Sequence, residues 1–313
     1  MKVFITGVNG QLGHDVVNAL IARGHEAVGS DLAEHYAGQE DGSAVVSAPY
    51  ISLDITDRER VSMTIKQVNP EAVIHCAAWT AVDAAEEEEN HKKVQAVNVT
   101  GTKNLAEICK ELDIKMLYLS TDYVFDGQGE MPWKEDCQDY APLNIYGKTK
   151  LEGEISIRET LEKYFIVRIA WVFGKNGNNF IKTMLKLGKT HDLLSVVCDQ
   201  IGTPTYTFDL ARLLVDMIET EKYGIYHATN EGGYISWFEF TKEIFHQALL
   251  LGHEEYGEDK VAVKPVTTAE YGVSKAKRPF NSRLSKEKLR KEGFLPLPDW
   301  KDALKRYLQE IEF

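Results

Sequence analysis

The sequence predicts an α/β fold: a doubly wound parallel sheet with helices on both faces, and a smaller, discontinuous C-terminal α+β lobe. Three observations carry that expectation. Strand-like and helix-like runs alternate through the first half of the chain, a glycine-rich turn joins the first strand to the first helix, and the alternation loosens after about Arg168. At 313 residues the chain is long enough for two lobes.

Taken in order, Lys2 to Thr6 is a short β-branched run, Gln11 to Ala22 has helical periodicity, and Glu26 to Gly29 reads as a second strand. Tyr50 to Leu53, Ala72 to His75 and Lys115 to Leu119 read as further buried strands, separated by helical patterns at Asp57 to Val68 and Lys92 to Leu112. The polar stretch Glu34 to Pro49 has no clear period and is expected as an insertion between the second and third strands. The acidic run Glu86 to Glu89 suits a helix start, where carboxylates meet the positive end of the dipole. Beyond Arg168, apolar runs at Leu194 to Cys198, Ile225 to His227 and Val261 to Val266 mix with helices at Thr207 to Thr220, Ser236 to Leu251 and Asp299 to Ile311. This pattern divides the chain into residues 1–170 plus about 204–230 as one domain. Residues from about 171–203 and 231–313 form a second that closes over a substrate.

Hydrophobic content of 43% and charged content of 27% are ordinary for a globular enzyme. A net charge of -12 argues against nucleic acid or an anionic membrane as partner, while leaving room for a local basic pocket. Cys76, Cys109, Cys137 and Cys198 are far apart, without CxxC spacing, and read as reduced thiols. Met1 to Ile5 enters a strand at once, with no signal-peptide pattern, and no apolar run approaches the ~20 residues of a membrane span. The expectation is a cytoplasmic protein.

The first βα turn reads Thr6-Gly7-Val8-Asn9-Gly10-Gln11-Leu12-Gly13. Gly7, Gly10 and Gly13 are spaced G-x-x-G-x-x-G, which allows a tight turn, close approach of backbone to a pyrophosphate and a helix N-terminus aimed at the phosphates. Asp31 follows the second strand, where an acid binds the ribose hydroxyls of NADH and repels the 2′-phosphate of NADPH. No Arg or Lys lies between Arg23 and Arg58 to meet that phosphate. The insertion is expected near the adenosine end of such a nucleotide. Tyr146 and Lys150 are four apart and share one helix face, which puts an ammonium near a phenol and lowers the phenol pKa from its usual ~10. Such a tyrosine can exchange a proton with a hydroxyl or ketone oxygen.

With Ser120-Thr121-Asp122 added, the chain resembles the extended short-chain dehydrogenase/reductases, whose core is a Rossmann-type domain. Among them it is most similar to the dTDP-4-dehydrorhamnose reductase family. The resemblance rests on Ala77-Ala78-Trp79-Thr80-Ala81-Val82-Asp83, on Ser120 to Gly127 and on Pro142 to Leu151. It continues through Arg168 to Gly174, Gly177-Asn178-Asn179-Phe180, Asp199 to Thr205 and Arg278 to Leu284, so that only Glu34 to Pro49 and Glu254 to Asp259 stand outside it. The resemblance implies reduction of the C4 ketone of dTDP-4-dehydro-L-rhamnose by NADPH or NADH. It implies Tyr146 as proton donor, Lys150 as modulator of that phenol and holder of the nicotinamide ribose, and Thr121 as hydrogen-bond partner of the reacting oxygen. Gly10, Gln11, Leu12, Asp31, Asp54, Ile55, Ala78, Trp79 and Thr80 are the implied cofactor contacts; Thr121, Asp122, Trp171, Asn179 and Arg283 are the implied substrate contacts.

Related dehydratases carry a Glu after the Thr-Asp pair, where this chain has Tyr123, so dehydration is disfavoured. Related epimerase-reductases use a Cys and a His; Cys137 and His191 are available, but outside the matching motifs. A regulatory subunit of methionine adenosyltransferase, which docks to a partner, resembles the same reductases and is the non-catalytic alternative. Some members of the family are dimers bridged by a divalent metal. Asp15 and Glu310 stand at two of the acidic positions and Thr190 at the third, so no metal is expected, and the state is monomer or homodimer.

Overall fold

The computed structural model describes all residues, Met1 to Phe313. Seven parallel strands form the main sheet: β1 (Lys2–Thr6), β2 (Glu26–Asp31), β3 (Tyr50–Ser52), β4 (Ala72–His75), β5 (Lys115–Thr121), β6 (Tyr164–Ile169) and, later in the chain, Gly224–His227. Four strands come between the last two: β7 (Val172–Phe173), β8 (Leu193–Val197), β9 (Ile201–Gly202) and β10 (Thr205–Tyr206), so that Gly224–His227 is β11. The short strands β12 (Ile235–Ser236) and β13 (Ala262–Val266) follow. The sheet order is β11-β6-β5-β4-β1-β2-β3, with the chain reversing direction of travel between β1 and β4. A crevice opens at such a switch point, beyond the carboxyl ends of the strands.

Burial on both faces explains the near-continuous apolar strands. Val3 and Ile5 of β1 point to one side, where they meet α1 (Gln11–Ala22) through Val16, Val17 and Leu20. Phe4 points to the other, into a cluster with Val61 and Ile65. The intervening helices are α2 (Ala44–Ser47), α3 (Arg58–Val68), α4 (Val82–Ala85), α5 (Glu88–Gln95), α6 (Thr102–Glu111) and α7 (Ile145–Thr160). Helix α3 carries Val61 and Ile65, while α6 and α7 complete that face with Leu105, Ile108 and Ile157. The helix expected at Lys92 to Leu112 is α5 and α6, interrupted by a π-helical turn at Ala96–Gly101. The acidic run falls at its start, Glu87 being the cap of α5.

Helices α8 (Phe180–Gly188), α9 (Thr207–Ile218), α10 (Trp237–Leu250), α11 (Thr268–Tyr271), α12 (Glu287–Lys291) and α13 (Trp300–Glu310) complete the chain. Helix α9 returns to the sheet and covers α1 with Leu210, Leu214 and Ile218. The second core is separate, built from Ile181 and Leu185, Phe240 and Ile244, and Leu304 and Tyr307. Its strands pair only in twos: β7 with β10, β8 with β13, and β9 with β12. Ser236 caps α10 in a reciprocal capping box with Glu239, and Asp299 caps α13. No helix is long and apolar enough to cross a membrane.

The insertion is a strap between the lobes. The Tyr36 hydroxyl lies 2.6 Å from Nδ1 of buried His14, the Ala37 N–H donates to Asn9 Oδ1 (2.9 Å), and the Gln39 N–H donates to Asn176 Oδ1 (3.0 Å). Asp41 pairs with Lys175 at 2.7 Å. Burial raises the Asp41 carboxyl, but hydrogen bonds from Lys175 and Ser43 outweigh it and bring the group well below the usual carboxylate range. Asp41→Asn is therefore expected to lower stability by about 1–2 kcal/mol, or about 2–4 °C in Tm for a chain of this size. A carboxylate with a depressed folded pKa stabilises above its unfolded pKa, so the deficit shrinks as pH falls below about 4. Thermal melts across pH check this, with the exposed Asp113–Lys163 pair as control: equal losses from Asp113→Asn and Asp41→Asn would remove the strap's special role.

Candidate functional site

A cleft of about 770 Å³ opens at the carboxyl ends of β1, β2, β4, β5 and β6 and is closed on its far side by the second lobe. Its floor is the glycine turn. Gly7 sits at φ +76°, and a Cβ there would strike the backbone of Ala77; a Cβ on Gly13 would strike the Gly7 carbonyl. Helix α1 begins after Gly10 with no side-chain cap, so its first N–H groups, from Gln11 to Gly13, have no partner within the helix. These glycines, with Gln11 and Leu12, line the cleft. Asp31 is the last residue of β2 and also lines it. The Asn9 N–H donates to its Oδ2 (3.0 Å) and the Leu32 N–H to its Oδ1 (2.7 Å), which fixes the carboxylate and leaves each oxygen lone-pair capacity.

Asp54, Ile55, Ala78, Trp79 and Thr80 form the adjoining wall. The Trp79 N–H donates to Asn98 Oδ1 (2.8 Å), and Asn98 Nδ2 donates to Thr149 Oγ1 (3.0 Å) on α7. Asn98 is buried in the π-helical turn, so that turn joins the cofactor-side wall to the helix bearing Tyr146 and Lys150. The sequence reading passed over it; the available signal was a polar residue between two valines inside a helical pattern.

Helix α7 starts at the cap Asn144, whose Oδ1 accepts the Gly147 N–H (2.7 Å), while the Ile145 N–H donates to Glu86 (2.7 Å). A side chain at Gly147 would collide with the Tyr123 carbonyl and one at Gly153 with Tyr118, so both glycines let the helix lie close to β5 and the turn after it. Tyr146, Lys150 and Thr121 thereby meet in the cleft. The Lys150 ammonium lies over the Tyr118 ring, 4.0 Å from its centroid, and burial lowers it to about 7 against the pull of Glu154. Burial pushes the Tyr146 phenol up well beyond its usual value, with the Thr121 hydroxyl opposing. This reverses the lowered phenol read from the Tyr/Lys spacing, because desolvation exceeds the opposing Thr121 hydrogen bond and the Asp122 charge adds to it. Thr121 Oγ1 donates to Asp122 (3.0 Å), whose carboxyl is raised by burial to about 7. Tyr123 packs edge-on against Tyr146, with ring centroids 5.7 Å apart.

Trp171 lines the cleft from the junction of the lobes, at φ +50°, a conformation bulky side chains rarely adopt, and stacks on Trp237 at 3.6 Å. Asn179 and Arg283 are placed differently. Asn179 caps α8, accepting the Lys182 N–H, and its amide donates to Gln11, Gly174 and Tyr307; it is absent from the cleft wall, where Asn178 stands instead. The Arg283 guanidinium donates to Asn281 (3.1 Å) and makes no ion pair; it too lies outside the wall. Phe180, Trp237 and Phe240 complete the second-lobe side, and the sequence reading had assigned none of them to the site. Cys137 and His191 lie outside the cleft.

A family model described as the RmlD substrate binding domain matches residues 1–313. A dTDP-4-dehydrorhamnose reductase of Aggregatibacter actinomycetemcomitans is 39% identical over 97% of each chain. The crystal structure of a dTDP-4-dehydrorhamnose reductase from Clostridium acetobutylicum superposes with a TM-score of 0.86 at 39% identity over 99% of each chain. The enzyme of that name from Bacillus anthracis, solved in complex with NADP, gives 0.85 at 39% identity over 99% of each chain.

The glycine turn supplies a direct test of its crowding. Gly7→Ala combines a positive φ with a backbone collision and is expected to cost about 3 kcal/mol or more. Gly24→Ala, at φ +77° in open space, is expected to cost about 1–2 kcal/mol, the backbone strain alone. Urea denaturation of both variants separates the terms, and equal losses would show that the turn does not approach Ala77 closely.

Proposed function

Because the chain belongs to the RmlD substrate-binding-domain family, whose relatives include named dTDP-4-dehydrorhamnose reductases, we propose that it reduces the C4 ketone of dTDP-4-dehydro-L-rhamnose to give dTDP-L-rhamnose, using NADPH or NADH. The observation that carries this reading is the convergence of Tyr146, Lys150 and Thr121 on a cleft floored by the glycine turn. The turn fits a dinucleotide: it offers the unpartnered N–H groups of α1, a cradle that any Cβ at Gly7 would fill, and Asp31 at the end of β2. A nicotinamide held there would supply hydride to C4. Gly10, Gln11 and Leu12 would hold the pyrophosphate, Asp31 the adenosine ribose, and Lys150 the nicotinamide ribose.

The remaining work belongs to the chain. As C4 is reduced its oxygen becomes an alkoxide, and Tyr146 donates its phenolic proton to that oxygen. A phenol held protonated by burial suits a donor. The Thr121 hydroxyl, which donates to Asp122 in this structure, would turn its proton to the same oxygen as charge develops there. The Lys150 ammonium, one turn along the same face of α7, stabilises the phenolate left after transfer. Tyr123 offers no carboxylate to remove a proton beside the ketone, which favours reduction over dehydration. In this reading residues 1–170 plus about 204–230 hold the dinucleotide, and about 171–203 and 231–313 hold the sugar nucleotide, with Trp171 and Asp122 at the contact. The protein acts in the cytoplasm, as a monomer or homodimer.

The test is nicotinamide oxidation by the purified chain with dTDP-4-dehydrorhamnose. Tyr146→Phe is expected to keep cofactor affinity within about twofold and to lose at least ~10²-fold in kcat. Retained turnover discards the donor role, and no turnover in the parent chain with cofactor bound favours a docking function. Solvent deuterium in the product at carbons other than C4 would turn the reading towards an epimerase.

A further inference from the structure

We infer that Glu154 is a positioning residue for the reduction: it sets a carboxylate one helical turn from the Lys150 ammonium and pins the Tyr146 face of α7 to the ends of β5 and β6, with Arg168 as its counter-ion. The inference rests on the reading of Lys150 and Tyr146 given above. Tyr146, Lys150 and Glu154 follow one another at four-residue intervals on one face of α7. The Glu154 and Arg168 side chains are both 0% exposed. Arg168 Nε donates to Glu154 Oε1 (2.9 Å) and Nη2 to Oε2 (2.7 Å), and the Ser120 hydroxyl donates to Oε1 (2.5 Å). Ser120, Arg168 and His227 lie opposite one another on β5, β6 and β11, so a single carboxylate anchors the helix to the strand end that continues into Thr121. Arg168 is fully engaged besides, donating to the Tyr140 hydroxyl (2.8 Å) and facing the Phe125 and Tyr140 rings.

Burying such a pair costs several kcal/mol per ion, and well-packed apolar residues often serve stability as well or better. What apolar residues cannot supply is a negative charge one turn from Lys150. The other groups packed against that ammonium are neutral. Tyr118 presents its ring; His75 is held neutral between the Thr6 and Thr102 hydroxyls, its imidazole lowered by burial to about 3; the Cys76 thiol is pushed up by burial to about 12; and the Tyr146 phenol is also raised. Near the carboxylate itself, His227 is likewise kept neutral by burial beside Arg168. Glu154 is therefore the anion that opposes desolvation of Lys150.

The test is the pH profile of kcat/KM, with the Lys150 titration read independently by pH-dependent acetylation with acetic anhydride and peptide mass analysis. Removing the anion destabilises the ammonium, so Glu154→Gln is expected to move the alkaline limb and the labelling midpoint down by about one pH unit, with about tenfold less activity at neutral pH. Glu154→Gln leaves Arg168 buried and unpaired, so the double variant E154M/R168M accompanies it as a chain expected to fold. The same downward direction is expected there, and Glu154→Asp is expected to restore the parent limb. Unchanged limb and midpoint in the folded variants would reduce Glu154 to a structural part. A parent chain without turnover but with a labelling midpoint that moves would overturn the reduction while leaving the effect of Glu154 on Lys150 standing.

Discussion

Everything near the cleft follows from one constraint: α7 turns a phenol, an ammonium and a carboxylate inwards, away from water. Desolvation alone would neutralise the lysine. The surroundings supply the compensation in order along the helix. Tyr118 places its π-face under Lys150 at 4.0 Å, Glu154 sits one turn further, and Arg168 closes on Glu154 with two N–H groups. Gly147 and Gly153 make the arrangement possible, since any larger residue would lift the helix from Tyr123 and Tyr118.

The second constraint is holding two lobes at a fixed distance across the cleft. Arg278 of the C-terminal region pairs with Asp83 at 2.6 Å, and the Ala276 N–H donates to the same carboxylate (3.0 Å). Asn144, the cap of α7, donates from its amide to the Lys277 carbonyl (2.8 Å), so the helix start is tied directly to that segment. On the other flank the strap joins the glycine turn, through Asn9, to Asn176 and Lys175. Asn179 bonds Gln11 across the same gap. Several motif residues thus make long-range ties across the cleft, as distinct from the local features that spacing discloses.

That distinction explains what the sequence disclosed and what it withheld. The sheet, the first helices and the glycine turn were legible because periodicity and backbone sterics are local properties: Val3, Ile5 and Phe4 alternate, and only glycine fits beside Ala77. Tyr146, Lys150 and Thr121 were legible through spacing and motif, and the structure brings them into one cleft. The Tyr146 environment was not, since burial depends on Tyr123 packing over it from another segment. The hydrogen bonds of Asn179 to Gln11 and Tyr307 were hidden for the same reason, being made with segments far away in sequence. The π-helical turn is invisible to a 3.6-residue periodicity, and Trp237 reads as a core aromatic until Trp171 is seen stacked on it.

The reversed reading of Tyr146 bears on which chemistry the site favours. A base that removes a proton must spend time ionised, which calls for a phenol brought down towards neutral pH. A donor to a forming alkoxide must instead arrive protonated and face an oxygen more basic than itself. The half-buried Tyr146 phenol is raised by desolvation and stays protonated, and burial raises the neighbouring Asp122 carboxyl to about 7. In the proposed reduction charge would develop at the C4 oxygen, where the Thr121 hydroxyl and the Lys150 ammonium would oppose it only once it forms. Interactions that strengthen with the developing charge lower the barrier without tightening the ground state. The absence of a carboxylate at Tyr123 removes the group that would take a proton beside the ketone.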